Sequence, residues 1–511
     1  MGQTIKNIGR LFTIARILAR HDALTLLEHL ELGGPLVMLA KLFSRKCDGR
    51  PGQRLAAALQ ETGPSFIKLG QALSTRSDLL GEEFSTDLSS LQDSLAPFPA
   101  EQARSTIESE FSKTIEELFI KFEDIPVAAA SIAQVHFAIT KDGREVAVKV
   151  LRPNIEMAFQ RDIDLFLWIA NFIEKAKPEY RRLRPVETIH TLAASIKLEM
   201  DLRFEAAAAA ELAENMREVD GFNVPSINWQ LTGQRVLTSE RVHGIPIDDI
   251  SALRSAGHDT NDLLEKSARA FFVQVFHYGF FHADMHPGNM FVRPDGALAA
   301  VDFGIMGRLD KKTRRHLGEI LMAFLTRDYL RAAEVHFEAG WIPQEQSVNA
   351  FAQACRAIAE PILDLPQNEI SIARLLGLLF SISKTFQMET QPQLLLLQKT
   401  MLTAEGTGRK LNPEANMWMM SKPLIEDWMT SNLGPEARII NGARDFAQAV
   451  NRLPKLLESL DKGARELSKA HMKIDQETKY TAKKESHFNS IFYLLIIAGI
   501  IFVSWLTIFM I

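Results

Sequence analysis

His282-Ala283-Asp284-Met285-His286-Pro287-Gly288-Asn289, followed by Val301-Asp302-Phe303-Gly304, is the stretch that decides the fold. Phosphoryl transfer asks for few groups, closely placed. One carboxylate orients or deprotonates the acceptor, while an Asn and a second Asp hold the metal that bridges the phosphates. Asp284 and Asn289 stand at the separation found in the kinase catalytic loop H-R-D-x-x-x-x-N, and Asp302 heads a D-F-G triplet after the apolar strand 298–301. A lone D-F-G is a weak signal; the ordered combination with a strand between is strong. His282 and His286 also invite a zinc reading at i, i+4. Pro287-Gly288 argues against a helix there, and no H-E-x-x-H motif exists, so bracing of the loop by hydrogen bonds is the better reading.

Upstream, Glu145-Val146-Ala147-Val148-Lys149-Val150 matches the kinase strand V-A-I-K. Alternation aims Lys149 at one face, where its ammonium can meet nucleotide phosphates. Where a kinase has its Gly-rich loop this chain has Pro126-Val127-Ala128-Ala129-Ala130-Ser131-Ile132-Ala133-Gln134-Val135. Alanines cannot use positive φ cheaply, so a nucleotide should be held differently there. Lys68-Leu69-Gly70-Gln71 lies in a helical segment, and Glu199, Asp201 and Glu205 follow in another, with Glu199 and Asp201 on different sides of one helix. One glutamate should pair with Lys149 and another could meet Lys68. Taken singly, each of these residues reads as a solvated helix face.

Charged residues make up 24% and the hydrophobic set 46% of the 511 residues, which excludes a disordered or fibrous chain. A net charge of −5 excludes a wholly basic surface, so nucleic acid is not an expected partner. Cys47 and Cys355 are too far apart in sequence for a zinc site or a disulfide framework. Residues up to 120 read mostly as helices, and 124–151 as a hairpin around Lys141-Asp142-Gly143. Residues 155–219 return to a helical period, and 222–244 read as two short strands around Thr232-Gly233. Beyond 308 the chain is helical almost to a final stretch, 490–511, that carries no charge. At about 1.5 Å per residue such a helix is roughly 33 Å long, enough to cross a bilayer. Lys479, Lys483 and Lys484 precede it, which places everything before the span in the cytoplasm. Gly499 could mark a packing face for a homodimer. Residues 4–20 form a basic amphipathic stretch, read either as a membrane-surface helix or as a helix packed on its own domain.

Taken together, the Lys-x-Gly-Gln, Ala-rich, V-A-V-K, Glu-x-Asp, H-x-D-x-H-P-G-N and D-F-G elements, in order from 68 to 304, resemble the UbiB family of atypical kinases, also called ABC1 or ADCK. The resemblance implies an α+β, atypical protein-kinase-like two-lobe fold with N-terminal and C-terminal helical extensions and a C-terminal transmembrane helix. The segments would be an N-terminal extension (1–123), an N-lobe with a helical insertion (124–244), a C-lobe (245–440), a juxtamembrane linker (441–488) and an anchor (489–511). In such a protein Lys149, paired with Glu205, would bind the phosphates of ATP or ADP. Asp284 would be the catalytic aspartate, and Asn289 with Asp302 would hold Mg2+. Ala128, Ala129, Ala130, Ser131 and Val135 would shape the nucleotide site. Residues 236–242 would be the hinge that meets adenine through backbone around Glu240, with Val242. Lys68 and Gln71, meeting Glu199 beside Asp201, would lie where a protein substrate normally docks.

The implied function is an ATPase or kinase at the bacterial inner membrane that supports ubiquinone biosynthesis. Its partners would be membrane lipids, polyprenylated quinone precursors and other proteins of that synthesis. The alternative is a nucleotide-binding pseudokinase scaffold that assembles the biosynthetic complex. A relative of aminoglycoside or choline kinases is disfavoured, since those lack Lys-x-Gly-Gln and a membrane tail.

Overall fold

The computed structural model describes residues 2–23, 47–74, 95–176, 185–363 and 392–433, with short pieces at 84, 87–88, 91, 382–383 and 385–388. Residues 1–429 form one compact unit. Among the described residues no helix is long and apolar enough to cross a membrane. The span expected over 489–511 and the linker 441–488 lie outside them.

Three helices open the chain: α1 (Gly2–Arg20), α2 (Pro51–Thr62) and α3 (Pro64–Ser74). After them α4 (Ala100–Phe111) and β1 (Phe119–Phe122) lead into β2 (Ala128–Ala129), β3 (Ala133–Thr140) and β4 (Glu145–Leu151). The sequence to 120 reads mostly as helices, yet β1 pairs antiparallel with β3, and α4 lies on the same sheet. The cause is β4's alternation. Val146, Val148 and Val150 bury one face against Ala103 and Ile107 of α4, which leaves Ala147 and Lys149 on the other face. The hairpin turn closes through Gly143 at φ 81°, where only glycine is unstrained.

The insertion consists of α5 (Ile155–Ala176), α6 (Pro185–Glu199) and α7 (Leu202–Asn215). Ile14, Leu55, Leu59 and Phe66 of the N-terminal helices share one core with Phe159, Phe166, Leu192 and Ile196 of the insertion. The amphipathic α1 is therefore packed on its own domain through Ile14 and Ile17, and Arg10 fixes it to Asp162 with two hydrogen bonds of 3.1 Å.

Strand β5 (Phe222–Asn223) and strand β6 (Val236–Glu240) occupy the region read as two short strands, and they belong to different sheets. β6 completes the N-lobe sheet, in the order β1-β3-β4-β6 with β2 on β3. β5 joins the C-lobe sheet, pairing parallel with β10 (Leu298–Ala300), which neighbours β9 (Met290–Val292) and, beyond it, β7 (Ile245–Pro246). A separate pair joins β8 (Phe280–His282) to β11 (Met306–Arg308). The C-lobe core gathers Leu263 and Phe271 of α8 (Thr260–Phe272), Phe281, Met285 and Phe303. α9 (Lys311–Leu325), α10 (Tyr329–Glu338) and α11 (Val348–Ala359) follow. α12 (Pro392–Leu411) and α13 (Met417–Leu433) return to that core through Leu397, Leu411 and Ile425.

Candidate active site

The N-lobe contributes Lys149 from β4. Directly opposite it in the antiparallel ladders stand Val135 on β3 and Leu237 on β6, so these share its face. Lys149 Nζ donates to Glu205 Oε1 at 2.8 Å and Oε2 at 3.0 Å. Glu205 lies in the first turn of α7, which approaches closely because Ala206 and Ala209 present only methyl groups to the core. The same ammonium donates to Asp302 Oδ1 at 3.1 Å, joining the two lobes. Burial works against charge on all three groups. The carboxylates outweigh it at Lys149, whose pKa lies above the ordinary range. The ammonium and the Gly304 N–H outweigh it at Asp302, which is held at about 2. At Glu205 burial prevails and the carboxyl is raised.

In the C-lobe, α8 runs on into a π-helical turn, Val273–Tyr278, whose last carbonyls accept hydrogen bonds from Arg314. Gln274 on that turn accepts from the His282 amide at 3.0 Å and so sets β8. His282 is fully buried, which lowers its pKa and keeps the ring neutral. Its Nδ1 accepts from the Asp284 amide at 3.2 Å, so Nε2 carries the proton towards the Val301 carbonyl, also at 3.2 Å. One imidazole thus ties the Asp284 loop to the strand that delivers Asp302. Asn289 Nδ2 donates to the Asp284 carbonyl at 3.1 Å, which leaves its amide oxygen as the atom suited to a cation. The Val301 amide donates to Asn289 O at 2.9 Å, which sets Asn289 beside Asp302. Asp302 itself has φ 61°, a left-handed conformation that Asp tolerates better than most residues.

Among the described residues no group of three or more His, Cys, Asp and Glu could hold a metal, and His282, spent on Val301 and Asp284, is no zinc ligand. Mg2+ needs less from a protein, typically one or two oxygen ligands with substrate phosphates and water supplying the rest. A carboxylate held ionised and an amide oxygen, on segments joined by the Val301–Asn289 backbone hydrogen bond, fit that requirement.

The Ala-rich segment is a pinned hairpin. Ala128 and Ala129 pair with Val135 and Gln134, and the Ala130 amide closes the turn on Ala133 O at 2.7 Å. Arg152 donates to Ala130 O through Nε (3.2 Å) and Nη2 (2.9 Å), and to Ala96 O. None of these alanines has positive φ. Ser131 is fully buried, and its hydroxyl has no partner among the described residues. A loop tied back in this way has a fixed edge, unlike a mobile glycine flap.

The helix read through Glu199 and Asp201 is divided, and the protein itself engages part of the backbone around Glu240. The backbone around Glu240 is largely engaged by the protein, since the Glu240 amide donates to Ser226 O at 2.8 Å and the Arg241 amide to Glu145 O at 3.2 Å. Val242 is the next amide along the segment. Glu199 and Asp201 do not share a helix: α6 ends at Glu199, and Asp201 is the N-cap of α7, accepting from the Arg203 amide at 3.2 Å. Its carboxylate is also clasped by Arg203, so it is a capping group that does not reach Lys149. Gln71 Nε2 donates to Leu91 O at 3.5 Å. Lys68 and Glu199 do meet, at 2.9 Å. The residue missed by sequence reading is Lys399 on α12, whose Nζ donates to Asp284 Oδ1 at 2.9 Å.

The family model of the ABC1 atypical kinase-like domain matches residues 90–336, and that of the UbiB helical domain matches 355–416. A Marinobacter nauticus protein named probable protein kinase UbiB is 43% identical over 459 residues, covering 88% of this chain and 83% of that one. The chain belongs to the UbiB family. A relative of the same name from Pseudomonas aeruginosa is 40% identical over 475 residues, 91% of this chain and 88% of its own. Among solved structures, a Mycobacterium tuberculosis protein, Rv3197 in complex with erythromycin, is similar at a TM-score of 0.52 and 25% identity, covering 73% of this chain and 95% of that chain. The kinase-like two-lobe fold is thus shared. The UbiB kinase-like match begins at residue 90, ahead of α4 and β1, in keeping with their place in the N-lobe.

Proposed function

We propose that this UbiB-family chain is a membrane-associated atypical kinase or ATPase that binds a magnesium nucleotide and supports ubiquinone biosynthesis. One observation carries the reading: Lys149 on the N-lobe reaches both Glu205 and, across the cleft, Asp302 on the C-lobe. An ammonium held between two carboxylates is placed to grip phosphates, and closure of the lobes brings it to the metal-binding side. Lys149 would bind nucleotide phosphates, with Glu205 holding its side chain in place. Asp302 and Asn289 would hold Mg2+, which would supply positive charge to offset that of the phosphates. Asp284 would orient the acceptor oxygen and take its proton, fixed by the His282 and Asn289 hydrogen bonds. The acceptor is water or a group on a polyprenylated quinone precursor. Such precursors partition into lipid, which suits a chain held at the inner membrane with the other proteins of the synthesis.

The test is magnesium-dependent phosphate release by the full chain, wild type against Asp302→Asn. The variant is expected to lose the magnesium-dependent rate; equal rates remove the role assigned to Asp302. A second reading, a nucleotide-binding scaffold, draws on the pinned Ala-rich hairpin. Asp284→Asn that restored quinone production as fully as wild type in a deletion strain would favour it.

A further inference from the structure

Lys399 has no part in the motifs above, yet its ammonium is 2.9 Å from Asp284 Oδ1. It stands near the middle of α12, within the stretch matched by the UbiB helical domain, directly after Leu394-Leu395-Leu396-Leu397-Gln398. Leu397 is buried in the C-lobe core that also holds Phe281, Met285 and Phe303, and Thr400 is fully buried beside it. α12 also packs on α8 and β11. Asp284 and Lys399 therefore rest on one packed core, and packing fixes their separation. The Lys399 side chain keeps 42% of its exposure, and that of Asp284 26%, so the pair opens to solvent.

We propose that Lys399 is a catalytic residue: a cation, supplied by the C-terminal helical domain, that neutralises the phosphoryl group as it is transferred. This rests on the reading of the cleft given above. When the acceptor attacks, a new P–O bond forms to the γ-phosphorus. The bond from that phosphorus to the β,γ-bridging oxygen breaks, its electron pair leaving with the nucleoside diphosphate. The acceptor proton passes to Asp284 and from there to solvent. Standing 2.9 Å from the carboxylate that orients the acceptor, the Lys399 amino group is placed to donate to the non-bridging phosphoryl oxygens, where negative charge is strongest.

The other cationic candidate on the loop serves this purpose less well. His286 Nε2 is 3.9 Å from Asp284 Oδ2, and its Nδ1 accepts from the Gly288 amide at 3.0 Å. With Nδ1 accepting, the imidazole has only Nε2 left to offer, whereas the lysine amino group offers several donors from one flexible stem. An inhibitory latch would need an element able to leave the cleft. α12 is instead built into the core of the lobe it serves.

The experiment uses the full-length chain with Mg·ATP and water as acceptor. Lys399→Met and the polar Lys399→Gln are compared with wild type for kcat and KM, and for affinity towards Mg·ADP and towards Mg·ADP·aluminium fluoride, which mimics the transferring group. The expected result is kcat lower by about 100- to 1,000-fold, as when one transition-state donor is removed. KM and Mg·ADP affinity stay within about threefold, and only the fluoride complex weakens in step with kcat. Unchanged or faster turnover in both variants overturns the proposal, the faster case marking a latch. Parallel loss of Mg·ADP and fluoride-complex binding also overturns it, since that is a folding or docking role. Wild-type protein that releases no phosphate overturns the earlier functional reading and this assignment with it; failure in the variants alone touches only Lys399.

Discussion

Lys68 on α3 and Glu199 at the end of α6 meet at 2.9 Å, with side chains retaining only 9% and 19% of their exposure. The contact links the N-terminal extension to the turn just before α7, and α7 carries the Glu205 that holds Lys149. A charge pair this far out of water is costly to break from one side. Lys68→Met leaves Glu199 with a charge partner removed, and the expected loss is roughly 1–3 kcal/mol. Lys68→Met with Glu199→Gln together should cost less than the sum, by about 1 kcal/mol or more. Urea denaturation of the four proteins checks this; strict additivity would mean that the two residues are not coupled.

Asp302 separates charge from backbone shape. Its φ of 61° suits Asn nearly as well as Asp, whereas Ala carries the full left-handed penalty. Asp302→Ala should therefore be less stable than Asp302→Asn by about 1 kcal/mol, although both remove the same carboxylate. Denaturation midpoints of equal value would show that the conformation relaxes at no cost.

Two glycines should respond in opposite directions. A Cβ on Gly307 of β11 would come within 2.1 Å of the buried Phe281 ring on β8, so Gly307→Ala forces the strand pair apart. Overpacking of this kind costs about 1–3 kcal/mol and shifts the strand that ends in His282. Gly406, inside α12, has nothing within 4 Å of its Cβ position, and Gly406→Ala should gain up to about 1 kcal/mol of helix propensity. Thermal melts give the sign of each.

His136 sets a pH dependence. It is fully buried, its Nδ1 bound to Glu123 O at 2.8 Å and its Nε2 facing the Gln134 amide at 2.9 Å, and burial lowers its pKa. In the unfolded chain a histidine titrates near about 6.5. As pH falls below that value the unfolded state takes a proton that the native state refuses. The contribution of His136 is thus complete above about pH 6.5 and is lost as pH falls, at up to about 1.4 kcal/mol per pH unit. His136→Gln should lose less stability than wild type between pH 7.5 and 5.5. Melting curves that fall in parallel would show that the ring titrates alike in both states.

The signals that sequence carries well are those in which chemistry dictates residue type at fixed spacing. The Asp284–Asn289 and Asp302 elements and the valine alternation of β4 are of this kind. What it carries poorly is tertiary choice. Spacing does not tell Glu199 from Glu205 as the partner of Lys149; only the family resemblance separated them. The break between α6 and α7 has no Gly or Pro to announce it, so Asp201 read as a helix-face residue although it caps. β1 is four residues long beside a convincing helix, and its identity comes from the ladder with β3. Lys399 meets Asp284 because α12 folds back onto the C-lobe core, and no local pattern records that return.

Strand β5 ties the order of the chain to both lobes. The polypeptide leaves α7, contributes Phe222 and Asn223 to the C-lobe sheet beside β10, and only then climbs back to lay β6 next to β4. The lobes are stitched in two places rather than connected by one ribbon. Neither half can be prepared as an autonomous fragment by severing the backbone near residue 244, because the upstream piece would keep a strand that the downstream piece requires.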